Sequence, residues 1–295
     1  MKHILVTGGK GQLGIELSRF AWPDGWVVTA VDIAELDLRD TAAIAAMVAS
    51  RRWSAVINAG AYTAVDKAES EVAEAWAVNA LAPAAFAGAC ASRDIPLIQI
   101  STDYVFDGSR QGRWETGDLT NPLSVYGASK LGGELAVRTG CGRHAIVRTS
   151  WLVSAHGSNF VKTMLRLGAT NERIRVVADQ FGAPTSASDL AAGVGAIAMR
   201  MAGDAASPSG TFHFSNAGEA TWWSFAKAIF AGAAARGRNQ PEVVAIDSTD
   251  YPTPAQRPRN SLLSHWAIHD AYGITPRPWE DALSDILDEL IGTAL

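Results

Sequence analysis

Cysteine is scarce in this sequence, and its scarcity excludes two kinds of stabilised fold. The only two cysteines among 295 residues, Cys90 and Cys141, lie far apart with no metal-site spacing around them. Neither a disulfide framework nor a zinc site is therefore expected. We expect two buried free thiols in a protein of a reducing compartment, and we assign them no chemistry.

Long apolar runs and dense basic runs are also missing. The first letters, MKHILVTGG, become glycine-rich before a signal-peptide core could form, and no stretch approaches the roughly 20 apolar residues that cross a bilayer. The net charge is −5, with 25 Lys and Arg against 30 Asp and Glu, and no cluster of basic residues suits a nucleic-acid backbone. We expect a cytoplasmic monomer or homodimer that binds neither membranes nor nucleic acid.

Apolar strands alternating with helical patterns are what the first half of the chain does contain. The strand-like runs are HILVTG, WVVTAVD, SAVINAG, PLIQIST and HAIVRTSW. Strands that are apolar throughout and separated by helices are typical of a parallel sheet covered on both faces. The pattern predicts an α/β protein with a doubly wound, Rossmann-type parallel sheet.

After Trp151 this alternation weakens, although GTFHFSN still reads as a strand. We predict a smaller C-terminal substrate-binding lobe, interleaved with elements that return to the sheet. The predicted dinucleotide-binding domain comprises residues 1–150 and about 186–218, and the lobe comprises about 151–185 and 219–295.

A glycine-rich turn, TGGKGQLG, joins the first strand to the first helix and contains Gly8, Gly11 and Gly14. Such a turn lets the backbone approach a pyrophosphate, and the helix N-terminus offers free N–H groups and partial positive charge. Asp32 closes the second strand, where a carboxylate accepts hydrogen bonds from ribose hydroxyls. These features predict a dinucleotide site; a turn that serves packing alone is the alternative.

The charge of Asp32 also bears on the choice of cofactor. A 2′-phosphate beside this carboxylate would be repelled, and the next basic residue along the chain is Arg39. We therefore expect use of NADH, or of both NADH and NADPH. Asp37 and Leu38 are expected to border the adenine. A strand-end turn at Ala61, Tyr62 and Thr63 is either part of the cofactor site or only a turn.

A tyrosine and a lysine lie one helical turn apart in NPLSVYGASKLGGELA. Tyr126 and Lys130 share a helix face, and Thr102 ends the fourth strand, where doubly wound sheets bind ligands. A tyrosine pKa is about 10, and a neighbouring ammonium lowers it. We predict that Tyr126 donates a proton to a carbonyl while a nicotinamide supplies hydride, with Thr102 holding the substrate oxygen. A solvated surface pair is the alternative.

With these motifs the chain resembles the extended short-chain dehydrogenase/reductase family. The resemblance covers nearly the whole chain and rests on GGKGQLG, NAGAYTAVDKAES, STDYVFDG, NPLSVYGASKLGGE, RTSWL, NFVKTMLRL, DQFGAPT and YPTPAQRPRNSLL. It implies NADPH or NADH as cofactor and reduction at C4 of a dTDP-linked 4-keto-6-deoxy sugar. It also implies catalytic roles for Thr102, Tyr126 and Lys130. The cofactor contacts that it implies are Gly11, Gln12, Leu13, Asp32, Asp37, Leu38, Ala61, Tyr62 and Thr63.

Besides Thr102, four residues are candidates for binding the substrate. Asp103 follows Thr102 and either contacts the ligand or caps a turn. Trp151 either stacks on a sugar face or packs in the core. Arg257 and Asn260 suit a diphosphate, with a surface salt bridge as the alternative for Arg257.

Three other activities occur among proteins that this chain resembles. Nucleotide-sugar dehydratases carry an Asp–Glu pair after the strand-four threonine, whereas this chain has Asp103 and Tyr104. Dehydration is therefore not expected. A 4-epimerase needs only the tyrosine, the lysine and a retained cofactor. A regulatory subunit like that of methionine adenosyltransferase would bind dinucleotide without catalysis. Both stay open.

Some members of the resembled family hold Mg²⁺ with acidic side chains at a dimer interface. Ser188 stands here where a ligating glutamate is expected, with Asp189 beside it, and Asp288 and Glu289 lie near the C-terminus. This departure argues against Mg²⁺, so we assign no metal ligand.

Overall fold

A computed structural model describes residues 1–293, so the last two residues of the predicted lobe, 294 and 295, lie outside the described residues. The strands are β1 (Lys2–Thr7), β2 (Trp26–Val31), β3 (Ala55–Asn58), β4 (Leu97–Thr102), β5 (His144–Thr149), β6 (Leu152–Val153), β7 (Arg173–Val177), β8 (Phe181–Gly182), β9 (Thr185–Ser186), β10 (Gly210–His213), β11 (Ala220–Thr221) and β12 (Glu242–Ile246).

The α-helices are α1 (Gln12–Arg19), α2 (Thr41–Ala49), α3 (Val65–Ala68), α4 (Val72–Trp76), α5 (Ala82–Ala91), α6 (Val125–Gly140), α7 (Phe160–Gly168), α8 (Ala187–Gly203), α9 (Trp222–Ala234), α10 (Trp266–Tyr272) and α11 (Trp279–Ile291). A π-helical turn, Ala77–Leu81, joins α4 to α5, and 3-10 turns cover Asp103–Val105 and Ser248–Asp250. Within residues 1–293, no helix has both the length and the apolar character of a membrane span.

Six parallel strands form the central sheet in the order β10-β5-β4-β3-β1-β2. The chain builds outward from β1 in one direction to β2 and in the other through β3. The carboxyl ends of β1 and β3 therefore border the crevice where doubly wound sheets bind ligands. The predicted fold class is confirmed.

Helices cover both faces of this sheet because alternate side chains of each strand point to opposite sides. Ile4 and Val6 of β1 pack with α1 and α8 on one face. Leu5 packs on the other face with α2, α5 and α6. Both faces are thus apolar, which explains why the strands read as continuous apolar runs.

A second core lies beyond β5. Helices α7, α9 and α11 pack there against β7, which pairs with β12 in parallel. Strand β12 was not predicted, because it pairs only with β7 and its side chains are exposed or half-buried. Strand β10, in contrast, pairs with β5 at the edge of the central sheet, in the segment predicted to return to it.

Candidate active site

One cleft of about 780 Å³ at the carboxyl edge of the sheet brings together most of the predicted site residues. Those that line it are Gly8, Gly11, Gln12, Leu13, Gly14, Asp32, Asp37, Leu38, Ala61, Tyr62, Thr63, Thr102, Asp103, Tyr126, Lys130 and Trp151. Arg257 and Asn260 are not among its lining residues.

The glycine turn forms one end of the cleft, and its geometry accepts no side chain at two positions. Gly8 has a φ of +68°, and a Cβ there would lie 2.8 Å from Cα of Gly60. A Cβ at Gly14 would lie 2.1 Å from the carbonyl oxygen of Gly8. Gly11 caps α1, whose first turn carries no acidic side chain. The helix N-terminus therefore suits an anionic group.

Asp32 is held against this turn by backbone donors. Its carboxylate accepts hydrogen bonds from the N–H groups of Lys10 and Ile33, each at 2.8 Å. These bonds, and first the one from Lys10, lower the pKa of Asp32. Asp32 therefore carries a fixed negative charge near neutral pH, and this charge would repel a 2′-phosphate.

A basic side chain also borders this end of the cleft. Arg39 pairs with Asp37 at 2.6 Å and with Glu74 at 3.4 Å, and all three line the cleft. The hydrogen bond from Arg39 lowers the pKa of Asp37 to about 2. Because these side chains are solvent-exposed, Arg39 is free to exchange its carboxylate partners for another anion.

The turn Ala61–Thr63 is fixed by a buried asparagine that the sequence analysis missed. The side chain of Asn79 accepts a hydrogen bond from the N–H of Tyr62 at 2.9 Å and donates one to its carbonyl at 3.0 Å. It also donates to Ser129 in α6 at 3.1 Å. A single asparagine in an alanine-rich segment could have indicated this role from the sequence, because a buried amide needs polar partners.

The predicted catalytic side chains converge where α6 begins beside the end of β4. Ser124 caps α6 by accepting the N–H of Gly127 at 3.2 Å, which places Tyr126 in the first turn. A Cβ at Gly127 would lie 2.2 Å from the carbonyl oxygen of Tyr104, so only glycine allows this approach. Thr102 lies near the Tyr126 phenol, and its hydroxyl donates to Asp103 at 3.0 Å.

Burial controls the protonation of this pair. Burial raises the pKa of Tyr126 to about 12, and the hydrogen bond with Thr102 only partly opposes it. Burial also lowers the pKa of Lys130 to about 8, with the charge of Glu134 acting in the opposite direction. The Lys130 ammonium donates to the carbonyl of Ile100 at 2.6 Å. The predicted lowering of the Tyr126 pKa is therefore wrong, because desolvation of the phenol dominates and Lys130 is not among the groups that shift this pKa.

Asp103 is buried beside Thr102 and Ser261. One of its oxygens accepts the Thr102 hydroxyl at 3.0 Å, and the other makes no hydrogen bond of standard geometry within residues 1–293. Burial raises the pKa of this carboxyl to about 6. A buried acceptor without a partner, on the lining of a cleft, is available to a ligand.

Comparison with known proteins identifies the family. The model of the RmlD substrate binding domain family matches residues 1–291. The chain belongs to this family. It is 43% identical over 281 residues to the dTDP-4-dehydrorhamnose reductase of Sinorhizobium fredii, covering 95% of each chain.

Solved structures with the same fold agree with this membership of the RmlD family. A dTDP-4-dehydrorhamnose reductase of Clostridium acetobutylicum is 36% identical and superimposes with a TM-score of 0.91 over 98% of this chain and 99% of its own. The corresponding enzyme of Bacillus anthracis, solved in complex with NADP, is 35% identical with a TM-score of 0.90 over 98% of this chain and 100% of its own.

Trp151 separates the cleft from a second cavity in this RmlD-family chain. It has a φ of +48°, unusual for a residue with a side chain, and its ring stacks on Trp222 at 3.7 Å. Trp222 lines a cavity of about 920 Å³ that Arg257 and Arg259 also border. The stacked rings therefore form a shared apolar wall between two spaces.

The two residues predicted to hold a diphosphate have partners within the protein. Arg257 pairs with Asp66 at 2.8 Å, which is the contact that the alternative interpretation required. The amide of Asn260 donates to the carbonyls of Arg110 and Gly112 at 2.7 and 2.6 Å. Arg257 still faces the second cavity, whereas Asn260 holds a loop.

The acidic residues considered as Mg²⁺ ligands form ion pairs with arginines instead. Ser188 is exposed, and Asp189 beside it pairs with Arg277 at 3.0 Å. Asp288 pairs with Arg236 at 2.7 Å. Neither carboxylate shares a site with the other.

Glu289 meets Glu16 and His156 instead, with their ligand atoms within 4.8 Å of one another. Arg19 donates to Glu289 at 2.6 Å and contacts His156. Mg²⁺ prefers an octahedron of oxygens, whereas an imidazole and a guanidinium share this cluster. The residues present do not fit the metal.

Proposed function

We propose that this chain is an NAD(P)H-dependent oxidoreductase that reduces the C4 ketone of dTDP-4-dehydro-6-deoxy-L-mannose (dTDP-4-dehydrorhamnose) to dTDP-L-rhamnose. The observation that carries the proposal is the meeting of Thr102, Tyr126 and Lys130 in one cleft with the glycine turn and Asp32. The names of the relatives at about 40% identity support the choice of substrate.

Tyr126 is the proposed proton donor. When bound, the reduced nicotinamide supplies hydride to a carbonyl carbon, and the carbonyl oxygen must then take up a proton. A pKa of about 12 keeps the phenol protonated near neutral pH, which is the form that a donor needs. Thr102 would hold the same oxygen. An ammonium has three donors, and the bond to Ile100 leaves two on Lys130 for the cofactor and the phenol.

The proposed cofactor site follows the glycine turn. The N-terminus of α1, with Gly11, Gln12 and Leu13, would hold the pyrophosphate, and Asp32 the adenosine ribose. Gly8 and Gly14 form a concavity that a Cβ would fill, which supports this assignment. The remaining contacts fall on Asp37, Leu38, Ala61, Tyr62 and Thr63.

We propose that the chain accepts both NADH and NADPH. Asp32 opposes a 2′-phosphate, whereas Lys10 and Arg39 on the same lining favour it. The charges of the two basic residues offset that of the carboxylate.

The substrate would extend from the cleft, along the edge of the stacked rings of Trp151 and Trp222, into the second cavity. Thr102 and Asp103 would bind the sugar, with Trp151 against its apolar face, and the nucleotide would occupy the second cavity. Arg257 lies at the border of that cavity and would contact the diphosphate in exchange for Asp66. We assign Asn260 a supporting role through the loop that it holds. We further propose that residues 1–150 and about 186–218 form the cofactor domain, and the remainder the substrate lobe.

The test is steady-state oxidation of NADPH and of NADH by the purified chain, followed by absorbance. A coupled epimerase supplies the 4-keto sugar from its precursor, and a reaction without that epimerase is the control. We expect stoichiometric consumption of reduced cofactor and formation of dTDP-L-rhamnose.

Two results would contradict the proposal. Tightly retained NAD with interconversion of sugars and no net oxidation would identify a 4-epimerase. Cofactor binding without turnover of any 4-keto sugar would identify a regulatory protein.

A further inference from the structure

We propose that a second cleft, at the opposite edge of the central sheet, binds a soluble ligand that carries a di- or triphosphate group. This cleft has a volume of about 920 Å³ and is lined by His3 and by the segments 51–54 and 93–96, together with Arg143. These segments lead into β1, β3, β4 and β5. Because the strands are parallel, the cleft lies at the amino edge, a strand length away from Thr102 and the active site.

Arginines dominate the lining. Arg51, Arg52, Arg93 and Arg143 converge there, and Asp94 is the only carboxylate. Arg143 has a structural role, because it donates to the carbonyls of Asp94 at 2.9 Å and of Met201 at 2.5 Å. The other three are solvent-exposed, and none of them takes part in an ion pair formed by residues 1–293.

The negative ends of nearby helices neutralise only part of the positive charge of these arginines. Helices α2, α5, α6 and α8 end beside this cleft, and each C-terminus carries about −0.5 charge. With Asp94 the negative side amounts to about −3, against about +4 for the arginines. The cleft is therefore positive in a chain whose net charge is −5.

Part of the cleft is already ordered for binding. The guanidinium of Arg51 lies 5.2 Å from the ring centroid of buried Trp53 and 3.1 Å from Nδ1 of His3. Packing against an aromatic ring already restricts the rotamers of Arg51, so this side chain loses less conformational entropy when it binds a ligand. Arg52 and Arg93 then complete a set of donors from two different loops.

The chemistry of these donors selects the ligand class. Guanidinium groups fork onto phosphate oxygens, and several of them around one concave space require clustered negative charge. A volume of about 920 Å³ is that of a small-molecule pocket. No dense basic run exists in the sequence, so the fold alone assembles this site from separate segments.

The test is calorimetric titration of the full chain with inorganic triphosphate in the presence of saturating NADPH, which occupies the glycine turn. The double variant Arg52→Glu/Arg93→Glu removes two donors of the cleft. The double variant Arg166→Glu/Arg238→Glu makes the same change in net charge at exposed positions elsewhere. We expect the cleft variant to bind triphosphate at least about tenfold more weakly and the matched control to bind within about threefold of the unmodified chain.

Equal weakening in both variants would mean diffuse attraction by surface charge and would overturn the proposal. So would the absence of binding to the NADPH-saturated chain, or unchanged binding by the cleft variant. Reductase turnover of the cleft variant should equal that of the unmodified chain, since neither arginine lines the active site. The outcome is thus separate from the fate of the proposed reaction.

Discussion

At the scale of single residues, the cleft depends on which protonation states burial favours. Tyr126 is kept neutral, with a pKa of about 12, while the pKa of Lys130 is brought down to about 8. A reductase needs its phenol protonated at the start of each turnover, and Tyr126 is in that form near neutral pH. Above neutral pH, the ammonium of Lys130 is the site group whose charge changes, whereas the carboxyl of Asp103 changes charge near pH 6.

The pH dependence of kcat/KM should therefore report Lys130. Because its folded pKa lies below the ordinary lysine value, the ammonium is present below about pH 8 and is lost as the pH rises through that value. We expect kcat/KM to be flat near neutrality and to fall above about pH 8, with no separate ionisation of Tyr126 below about pH 10. A rate that stays constant to pH 10 would show that the ammonium is not required.

Cofactor preference depends on opposing charges at one end of the cleft. Asp32→Ala removes the repulsion of a 2′-phosphate and should raise the ratio of kcat/KM for NADPH to that for NADH by about tenfold, or about 1.4 kcal/mol. Arg39→Ala should lower the same ratio. For each variant, kcat/KM is measured with NADPH and with NADH at a fixed concentration of the sugar substrate. An unchanged ratio in Asp32→Ala would mean that this carboxylate does not face the ribose.

At the scale of elements, the junction of β1 and α1 determines whether a dinucleotide fits. Gly14→Ala places a Cβ 2.1 Å from the carbonyl oxygen of Gly8, so the turn must open. We expect NADPH binding, measured by calorimetry, to weaken by about tenfold or more. Gly88→Ala is the matched control, because Gly88 is exposed within α5 with open space around it. Equal affinities in both variants would contradict this account of the turn.

A buried ion pair links α6 to β5 below the catalytic residues. Glu134 and Arg148 are almost fully buried and pair at 2.7 Å, and Glu134 also accepts the hydroxyl of Ser101 at 2.5 Å. Arg148→Met removes the buried partner of this carboxylate and leaves only the exposed Arg138 at 3.6 Å. We therefore expect a loss of about 3–5 kcal/mol in the free energy of unfolding, measured with urea.

The control for this prediction is the exposed pair of Arg173 and Glu242 at 2.7 Å. Arg173→Met should cost at most about 1 kcal/mol, because solvent screens the pair. The double variant Glu134→Leu/Arg148→Met should be more stable than Arg148→Met alone, since no buried charge is then left unpaired. A double variant less stable than the single one would show that packing, and not the unpaired charge, dominates.

At the scale of the whole molecule, the sequence was sufficient for features that are local or periodic. The strands of the central sheet are continuously apolar because both faces are covered, and the glycine turn has a fixed spacing. Tyr126 and Lys130 are one turn apart on one helix. Each of these signals lies within a few neighbouring residues.

Features that depend on distant contacts could not be predicted. The pairing of Arg257 with Asp66 joins residues 191 positions apart. The pKa of Tyr126 depends on how closely α6 packs on the turn after β4, which no local pattern encodes. The arginine-lined cleft at the amino edge collects side chains from several loops, although the sequence has no basic cluster.

The most direct test of the central claim is single-turnover reduction of the 4-keto sugar by Tyr126→Phe beside the unmodified chain. This change removes only the hydroxyl and leaves the ring that packs edge-on against Tyr104 at 5.4 Å. We predict a rate reduced by about a hundredfold or more, with the Kd for NADPH unchanged. A rate near that of the unmodified chain would contradict the role of Tyr126 as proton donor.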